Sequence, residues 1–486
     1  MQAKVQKISW LLVGAGMGVL LTAGASALAD KDNPSPLPIN ELRAFTEVYA
    51  RIKQDYVEPV EDKKLINEAI NGMLTGLDPH SAYLDPEAFK DLKTTTTGEF
   101  GGLGLEVNAE DGLVRIISPI EDTPASKAGV KAGDYIMKID DVPVRGMSLN
   151  DAVSKMRGKP NTQVTLTLLR KGEAKPLVIT LTRAIIKVQS VKAKMLESGY
   201  GYARLTQFQE RSTEDLAKAL DTLYKENKAP LKGLILDLRN DPGGVLNGAV
   251  GVSSLFLPDD SLVVYTEGRA ADAKQRFNAS SDFYAGAVKA LPKDIKSVPL
   301  VVLVNAGSAS ASEIVAGALQ DHKRAVLVGT QTFGKGSVQT ILPVSKDSAI
   351  KLTTARYFTP NGRSIQAKGI TPDIEVEEAT LNGVENSAFR VREADLEHHL
   401  SNPQGGDSKV DIKIDGKQGE PEAKLDPAKT DKSKAKPKSK DGKDGAEDEP
   451  LRPGEISLKK DYQLQQALNV LKVQQVVSRT TTAKAQ

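Results

Sequence analysis

Hydrophobic spacing changes period along this chain, and each change marks a different kind of structure. In residues 36–95 the apolar positions fall three and four apart. Leu42, Phe45, Val48 and Ile52 form one such series, and Leu65, Ile66, Ala69, Ile70, Met73 and Leu74 form a second. Both predict amphipathic helices, the second ended by Gly76 and Asp78-Pro79. From 98 to 183 the period shortens towards two. Gly101-Gly-Leu-Gly-Leu-Glu-Val107 leads to a hairpin turn at Asp111-Gly112, and strands follow at 113–117, 133–139 and 164–168. One helix starts at Ser148 and buries Leu149, Val153 and Met156.

Residues 184–400 alternate apolar runs with helical patterns. An amphipathic helix over 212–227 places Leu216, Leu220, Leu223 and Tyr224 on one face, with a Ser212…Asp215 cap. Buried strands are expected at 234–238, 300–304 and 326–328, a helix from Glu313 to about Gln320, and further strands at 349–358 and 363–376 around Pro360-Asn361-Gly362. Such alternation predicts an α/β sheet with parallel pairs and crossover helices. Residues 401–452 hold no aromatic side chain and many Lys, Asp, Gly and Pro, the composition of a disordered tether. Its basic run at 432–443 is interrupted by Asp and followed by Glu447-Asp448-Glu449, so it reads as a solvated linker. Beyond it, Leu464, Ala467, Leu468 and Leu471 share one helical face. That face must be covered, by the chain's own core or by a second subunit.

The first residues carry Lys4 and Lys7, an apolar stretch from Ile8 to about Ala23, and Ala27-Leu-Ala29 before Asp30. This is the pattern of a secretory leader over 1–29. The stretch is short and glycine-bearing for a membrane anchor, the alternative reading. Cleavage before Asp30 removes two lysines and takes the formal charge from +2 to 0. With 65 basic and 63 acidic residues, the chain has no electrostatic footprint for nucleic acid. Cysteine is absent, which excludes disulfides, thiolate catalysis and cysteine-based zinc sites. None of the four histidines stands in a metal-ligand spacing. An exported, cysteine-free chain fits a bacterial periplasm.

Candidate chemistry concentrates in two segments. Asn305-Ala-Gly-Ser-Ala-Ser-Ala-Ser-Glu-Ile314 puts three serines between an apolar run and a helix. Gly329-Thr-Gln-Thr-Phe-Gly-Lys-Gly-Ser-Val-Gln339 puts Lys335 between two glycines after another apolar run. A serine needs a base before it attacks a carbonyl, and a lysine serves only when desolvated and neutral. Pattern alone does not choose among Ser308, Ser310 and Ser312, any of which suits a helix cap. His322 lies twelve residues beyond Ser310 in a polar turn and ranks below Lys335 as a base.

Together these segments resemble the Ser–Lys carboxyl-terminal processing proteases, or tail-specific proteases. The resemblance spans about residues 36–380. In that family the nucleophile precedes the lysine by twenty-five residues, which selects Ser310, with Lys335 as base. It assigns Gln339, one helical turn beyond, to holding the lysine amine or a bridging water. It assigns the oxyanion donors to the Ala311 N–H and to Gly243 or Gly244, in the Asp237-Leu-Arg-Asn-Asp-Pro-Gly-Gly244 loop. His80, in Leu77-Asp-Pro-His-Ser-Ala-Tyr-Leu84, reads as a structural turn residue. Residues 98–183 resemble a PDZ domain. There Gly101, Gly102, Leu103 and Gly104 would receive a terminal carboxylate, the following strand would pair with the peptide, and Arg157 would help align the protease site.

The implied fold is an α/β protease core of crotonase-like ββα type with an inserted strand-rich PDZ domain and helical terminal segments. The implied divisions are a leader (1–29), a helical region (30–97), PDZ (98–183), core (184–400), linker (401–452) and C-terminal helix (453–486). The implied activity is that of an exported serine endopeptidase, without cofactor, acting on proteins with free apolar C-termini. The alternatives are a catalytically inactive scaffold on the same fold and a Ser–His–Asp chaperone-protease, whose Gly-Asn-Ser-Gly-Gly motif is missing. A homo-oligomer is expected, held by the C-terminal helix or by the helix around residues 42–52, and an adaptor protein is a further expected partner.

Overall fold

The computed structural model describes residues 37–484 except 111, 121, 174, 289–290, 379–390, 406–456 and 459. The expected leader, and all but residues 401–405 of the expected tether, lie outside these residues. The chain divides into two units at Gly72 and Met73. In the first, α1 (Ile39–Asp55) leads to the start of α2 (Asp62–Thr75), and Lys53 reaches Asp62 at 2.7 Å. No side chain of α1 is buried, so its apolar stripe of Leu42, Phe45, Val48 and Ile52 is exposed.

The second unit starts with β1 (Ala82–Leu84) and α3 (Pro86–Thr97), followed by β2 (Glu99–Gly102). An antiparallel sheet then forms from β3 (Leu105–Glu110), β4 (Leu113–Pro119), β5 (Tyr135–Ile139), β6 (Val142–Pro143), β7 (Gln163–Leu169) and β8 (Leu177–Thr182). Short α4 (Pro124–Lys127) and α5 (Leu149–Met156) pack with it. Ser148 caps α5 by accepting the Asp151 N–H at 3.1 Å, as its position predicted. The chain leaves along β9 (Ala184–Lys187), which pairs with β2 as a two-stranded stalk.

Beyond the stalk come β10 (Val191–Glu197), β11 (Tyr200–Leu205), α6 (Ser212–Asn227), β12 (Gly233–Asp237), α7 (Leu246–Ser254), β13 (Leu262–Gly268), β14 (Gln275–Asn278), β15 (Leu300–Val304), α8 (Ala311–Asp321), β16 (Val326–Gly329), β17 (Ser337–Pro343), β18 (Ala349–Phe358) and β19 (Ile374–Glu375). The sheet runs β10-β11-β12-β15-β16-β19, parallel from β11 onward. A second, antiparallel sheet gathers β1, β13, β14, β17 and β18.

Period two sorts the parallel strands between two cores. Leu234, Leu236, Leu300, Val302 and Val304 face α6, α7 and α8. Ile235, Val301, Leu303 and Val328 face the other way. That second face is covered by α9 (Tyr462–Lys484), through Leu464, Ala467, Leu468 and Leu471. Each buried leucine contributes about 1.5–3 kcal/mol. Gly233 lets Leu471 in, since a Cβ there would stand 2.9 Å from the Leu471 side chain. The expectation that this helical face serves assembly is therefore corrected. A parallel sheet needs both faces covered, and the tail helix is the second cover.

Two local expectations also change. Ser212 does not cap α6 but is its first residue, and its hydroxyl accepts the Gln209 N–H at 2.8 Å. Residues 363–376 form a strand only at β19. Before it, Ala367 N–H donates to Gly334 O (2.8 Å) and Ile370 N–H to Thr332 Oγ1 (2.7 Å), so this segment laps the lysine loop rather than joining a ladder.

Candidate active site

Strands β15 and β16 end side by side, and their loops carry the serines and the lysine. The three serines are physically distinct. Ser308 Oγ donates to Leu238 O at 2.8 Å, and Ser312 Oγ donates to Asp241 O at 2.9 Å; both residues are fully buried. Ser310 is only half-buried and has φ +56°, a left-handed conformation that costs a non-glycine residue about 1–3 kcal/mol. Its hydroxyl lies beside the Tyr357 side chain and makes no bond to the loop after β12.

One carboxylate joins the serine turn to the lysine loop. Glu313, fully buried on the first turn of α8, accepts the Ser310 N–H (2.8 Å) and the Lys335 N–H (2.9 Å) on one oxygen. Its other oxygen accepts the Gly334 N–H (2.7 Å) and the Thr332 hydroxyl (2.6 Å). Burial still pushes its carboxyl up to about 7, against those four bonds. Tyr357, also buried, donates its hydroxyl to Lys335 O.

Burial, and then the charge of Lys351, lowers the Lys335 ammonium pKa below the ordinary lysine value, although Glu393, Glu313 and Asp78 pull it back up. Lys335 Nζ has no hydrogen bond or ion pair to another described residue. Gln339 is not one helical turn beyond the lysine, because the chain turns into β17 there. Its amide nitrogen donates to Ser337 Oγ (3.0 Å) and Thr353 Oγ1 (3.2 Å).

His80 lies in a turn closed by Asp78, whose carboxylate accepts the His80 and Ser81 N–H groups at 2.8 and 2.9 Å. The ring also reaches this site. His80 Nε2 is 2.8 Å from the buried Glu393, which accepts from Gln366 Nε2 at 2.9 Å, and Gln366 Oε1 in turn accepts the Gly336 N–H at 3.0 Å. His322 caps the far end of α8, about 18 Å from Ser310 at 1.5 Å per residue, and bonds to Leu262 O.

The loop after β12 lies against the serine turn. Gly243 has φ +94°, and a Cβ there would stand 2.7–2.8 Å from Ala309 O, Ala311 N and Ser310 Cβ. Gly243 N–H already donates to Asp241 Oδ1 at 2.8 Å, whereas Gly244 N–H has no partner among the described residues. Asp241 O accepts Ala309 N–H at 3.0 Å, fastening loop to turn. Burial pushes the Asp241 carboxyl up to about 8, and its Oδ2 has no partner. Among the described residues no cluster of acids and histidines could hold a metal ion.

In the PDZ-like sheet, β3 is an edge strand, paired only with β4. A small apolar pocket of about 70 Å³ opens beside it, lined by Leu103, Leu105, Val107, Val153 and Met156. Leu103 and Gly104 form the turn there, and their N–H groups have no partner among the described residues. Gly101 and Gly102 belong instead to β2. Gly101 is needed for a close crossing, since a Cβ would sit 2.0 Å from Gly158 O. Arg157 lies over the Phe100 ring at 4.8 Å and reaches Asp91 of α3 at 3.5 Å, so it bridges the PDZ-like sheet and the helix before it.

Glu313, Tyr357, Glu393 and Gln366 were not expected at this site. Glu313 had a signal, its place three residues after Ser310, but it reads equally as a first-turn acid. The others come from remote segments and had none.

The chain is similar to known proteins along most of its length. Peptidase family S41 matches residues 199–376, a PDZ domain matches 101–181, and the N-terminal domain of the activating protease CtpB matches 19–88. A carboxy-terminal-processing protease of Bartonella bacilliformis is 44% identical over 406 residues, covering 83% of this chain and 90% of its own. The carboxy-terminal processing protease CtpA of Bacillus subtilis is 36% identical over 367 residues, 75% of each chain. A solved photosystem II D1 C-terminal processing protease is 32% identical, covering 68% of this chain and 86% of its own, with a TM-score of 0.39. Likeness of this extent places the chain in peptidase family S41, among the PDZ-bearing carboxy-terminal processing proteases, and makes it a serine-type peptidase.

Proposed function

We propose that Ser310 is the nucleophile and Lys335 its base. The observation that carries this is the contrast among the three serines. Ser308 and Ser312 spend their hydroxyls on the loop after β12 and Ser310 does not, and the Ser310 amide shares the Glu313 carboxylate with the amide of Lys335. A rotamer change takes Oγ from Tyr357 towards Lys335. Neutral Lys335 accepts the Oγ proton as oxygen attacks the scissile carbonyl carbon. The oxyanion is met by Ala311 N–H and by Gly244 N–H, the uncommitted amide of the glycine pair. Lysine then protonates the departing amine, the C–N bond breaks, and an ester on Ser310 remains. Water, deprotonated by the same lysine, hydrolyses it. Gln339 keeps its amide oxygen available to orient the amine or a water.

The open edge of β3, with the Leu103–Gly104 turn and the apolar pocket, supports capture of a free apolar C-terminus by strand addition. Arg157 supports a link from that groove to the core through Asp91. Parallel strands layered on helices support a crotonase-like core. The leader pattern supports export to the periplasm, testable by sequencing the mature N-terminus, expected at Asp30. With the Leu464–Leu471 face of α9 occupied, the exposed α1 stripe is a surface open to self-association, and Phe45→Glu should lower the mass seen by light scattering.

The dyad is tested on an unfolded protein substrate such as β-casein. Ser310→Ala and Lys335→Ala should each lower kcat by several orders of magnitude with folding intact. Near-parental turnover by either variant rejects the assignment of the dyad, whereas a parent protein without turnover would favour the inactive scaffold.

A further inference from the structure

We propose that Asp461, which caps the tail helix, is a positioning residue for the oxyanion loop, so that the segment beyond residue 456 takes part in turnover. The inference rests on the reading of residues 238–244 as that loop.

Side chains and backbone of this loop bond in two directions. Leu238 O, Asn240 N–H and Asp241 O face the serine turn, bonding to Ser308 Oγ (2.8 Å), Asn305 Oδ1 (2.9 Å) and Ala309 N–H (3.0 Å). Arg239 between them faces the tail. Its Nη1 and Nη2 donate to the two oxygens of Asp461 at 2.9 and 2.7 Å, a two-point grip, and Nη1 also meets Gln463 Oε1 at 3.0 Å. The same guanidinium donates to Asp237 at the end of β12, through Nε (3.0 Å) and Nη2 (2.7 Å), and Tyr202 bonds to Asp237 at 2.6 Å. Gln463 is itself held by Val376 O at 2.8 Å. Arg239 is thus enclosed by β12 on one side and α9 on the other, with a side-chain exposure of 11%.

Arg–carboxylate pairs with two parallel bonds fix direction as well as distance. Held only by Asp237, two residues away in its own strand and loop, Arg239 has no anchor outside the segment it must orient. Asp461 supplies that anchor through two bonds, and Gln463 adds a single one. A displacement of about 1 Å in catalytic geometry can cost about 100-fold in rate. A loose loop would show in kcat, because substrate is captured elsewhere.

Asp461 has a second, purely structural task, since its Oδ1 accepts the Leu464 N–H at 3.0 Å and caps α9. The test separates the two. Asp461→Ser keeps a good cap but is too short to reach Arg239. In the full-length protein it should lower kcat about 10- to 100-fold on an unfolded protein substrate, with KM within about twofold. Asp461→Asn, which keeps the shape and one strong acceptor, should fall between that variant and the parent, and stands in if Asp461→Ser fails to fold. Lys472→Ala removes another tail contact, to Glu197 at 2.8 Å, and should leave kcat unchanged. Leu468→Ala loosens docking alone. Parental kcat in both Asp461 variants overturns the proposal, as does an equal loss in Leu468→Ala at matched folded fraction. Ser310→Ala is assayed beside them, so survival of activity there condemns the dyad reading instead.

Discussion

The serine–lysine end of the core and the PDZ groove are both made of glycine-bearing loops at strand ends, yet they use their backbones in opposite ways. In the core the loops are laced to each other. Glu313 alone gathers three backbone amides, and Asp241 and Ser308 stitch the β12 loop to the serine turn. In the groove the strand edge and the Leu103 and Gly104 amides are left open. Chemistry needs atoms held to a fraction of an ångström, so its loops are tied to each other in advance and only the amides that face the reacting group stay open. Capture of varied chain ends needs unsatisfied backbone, which the peptide completes.

The sharpest way to break the core side of this contrast is Gly243→Ala. The new methyl would meet Ala311 N and Ser310 Cβ at 2.8 Å, at a φ of +94° that alanine adopts only under strain. A kcat loss of about 100- to 1,000-fold is expected, the scale of losing an oxyanion donor. Steady-state kinetics on a protein substrate reads it, and parental turnover would show the two loops to be less tightly opposed.

On the groove side, Val153→Glu puts a negative charge into the apolar pocket where a carboxylate-ended chain should enter. KM for substrates with apolar C-termini should rise about tenfold, since each 1.4 kcal/mol of lost binding is one decade. An unchanged KM would mean that chain ends are captured elsewhere.

The charge around Lys335 gives a finer probe. Glu393 stabilises its ammonium form, so Glu393→Gln should lower the lysine pKa further and move the acid limb of kcat/KM to lower pH. A limb that stays in place or moves to higher pH would count against Lys335 as the titrating base.

The smallest effect concerns stability. The Asp241 carboxyl titrates near 8 in the fold, raised by burial, and near ~3.9 when unfolded. Below the lower value both states are protonated and stability is full. Between the two values the unfolded chain has released its proton and the fold has not, so stability falls as pH rises towards 8. Asp241→Asn should therefore melt above the parent at pH 9, with the gap closing towards pH 4. A pH-independent gap in thermal melts would show that Asp241 ionises normally.

Much of this molecule was legible before its structure. The unbroken apolar run at 300–304 and the helical stripe at 464–471 are imposed by burial itself, since a strand buried on both faces needs apolar side chains throughout and a helix covered on one face needs a stripe. Glycines flanking Lys335 and the Ser212–Asn227 helix follow from equally local chemistry. The cap at Ser212 and the strand at 363–376 were misread because tertiary partners, Gln209 and the Gly334 loop, outcompeted the local pattern. What the amino-acid order by itself determined was the set of elements, the PDZ-like insertion and the two loops that carry serine and lysine. Which serine is left free, which acid joins it to the lysine, and where the tail helix docks were decided only by the tertiary structure. Hydrogen bonds from Glu313, Glu393 and Asp461 cross up to hundreds of residues, and no local period records a partner that distant.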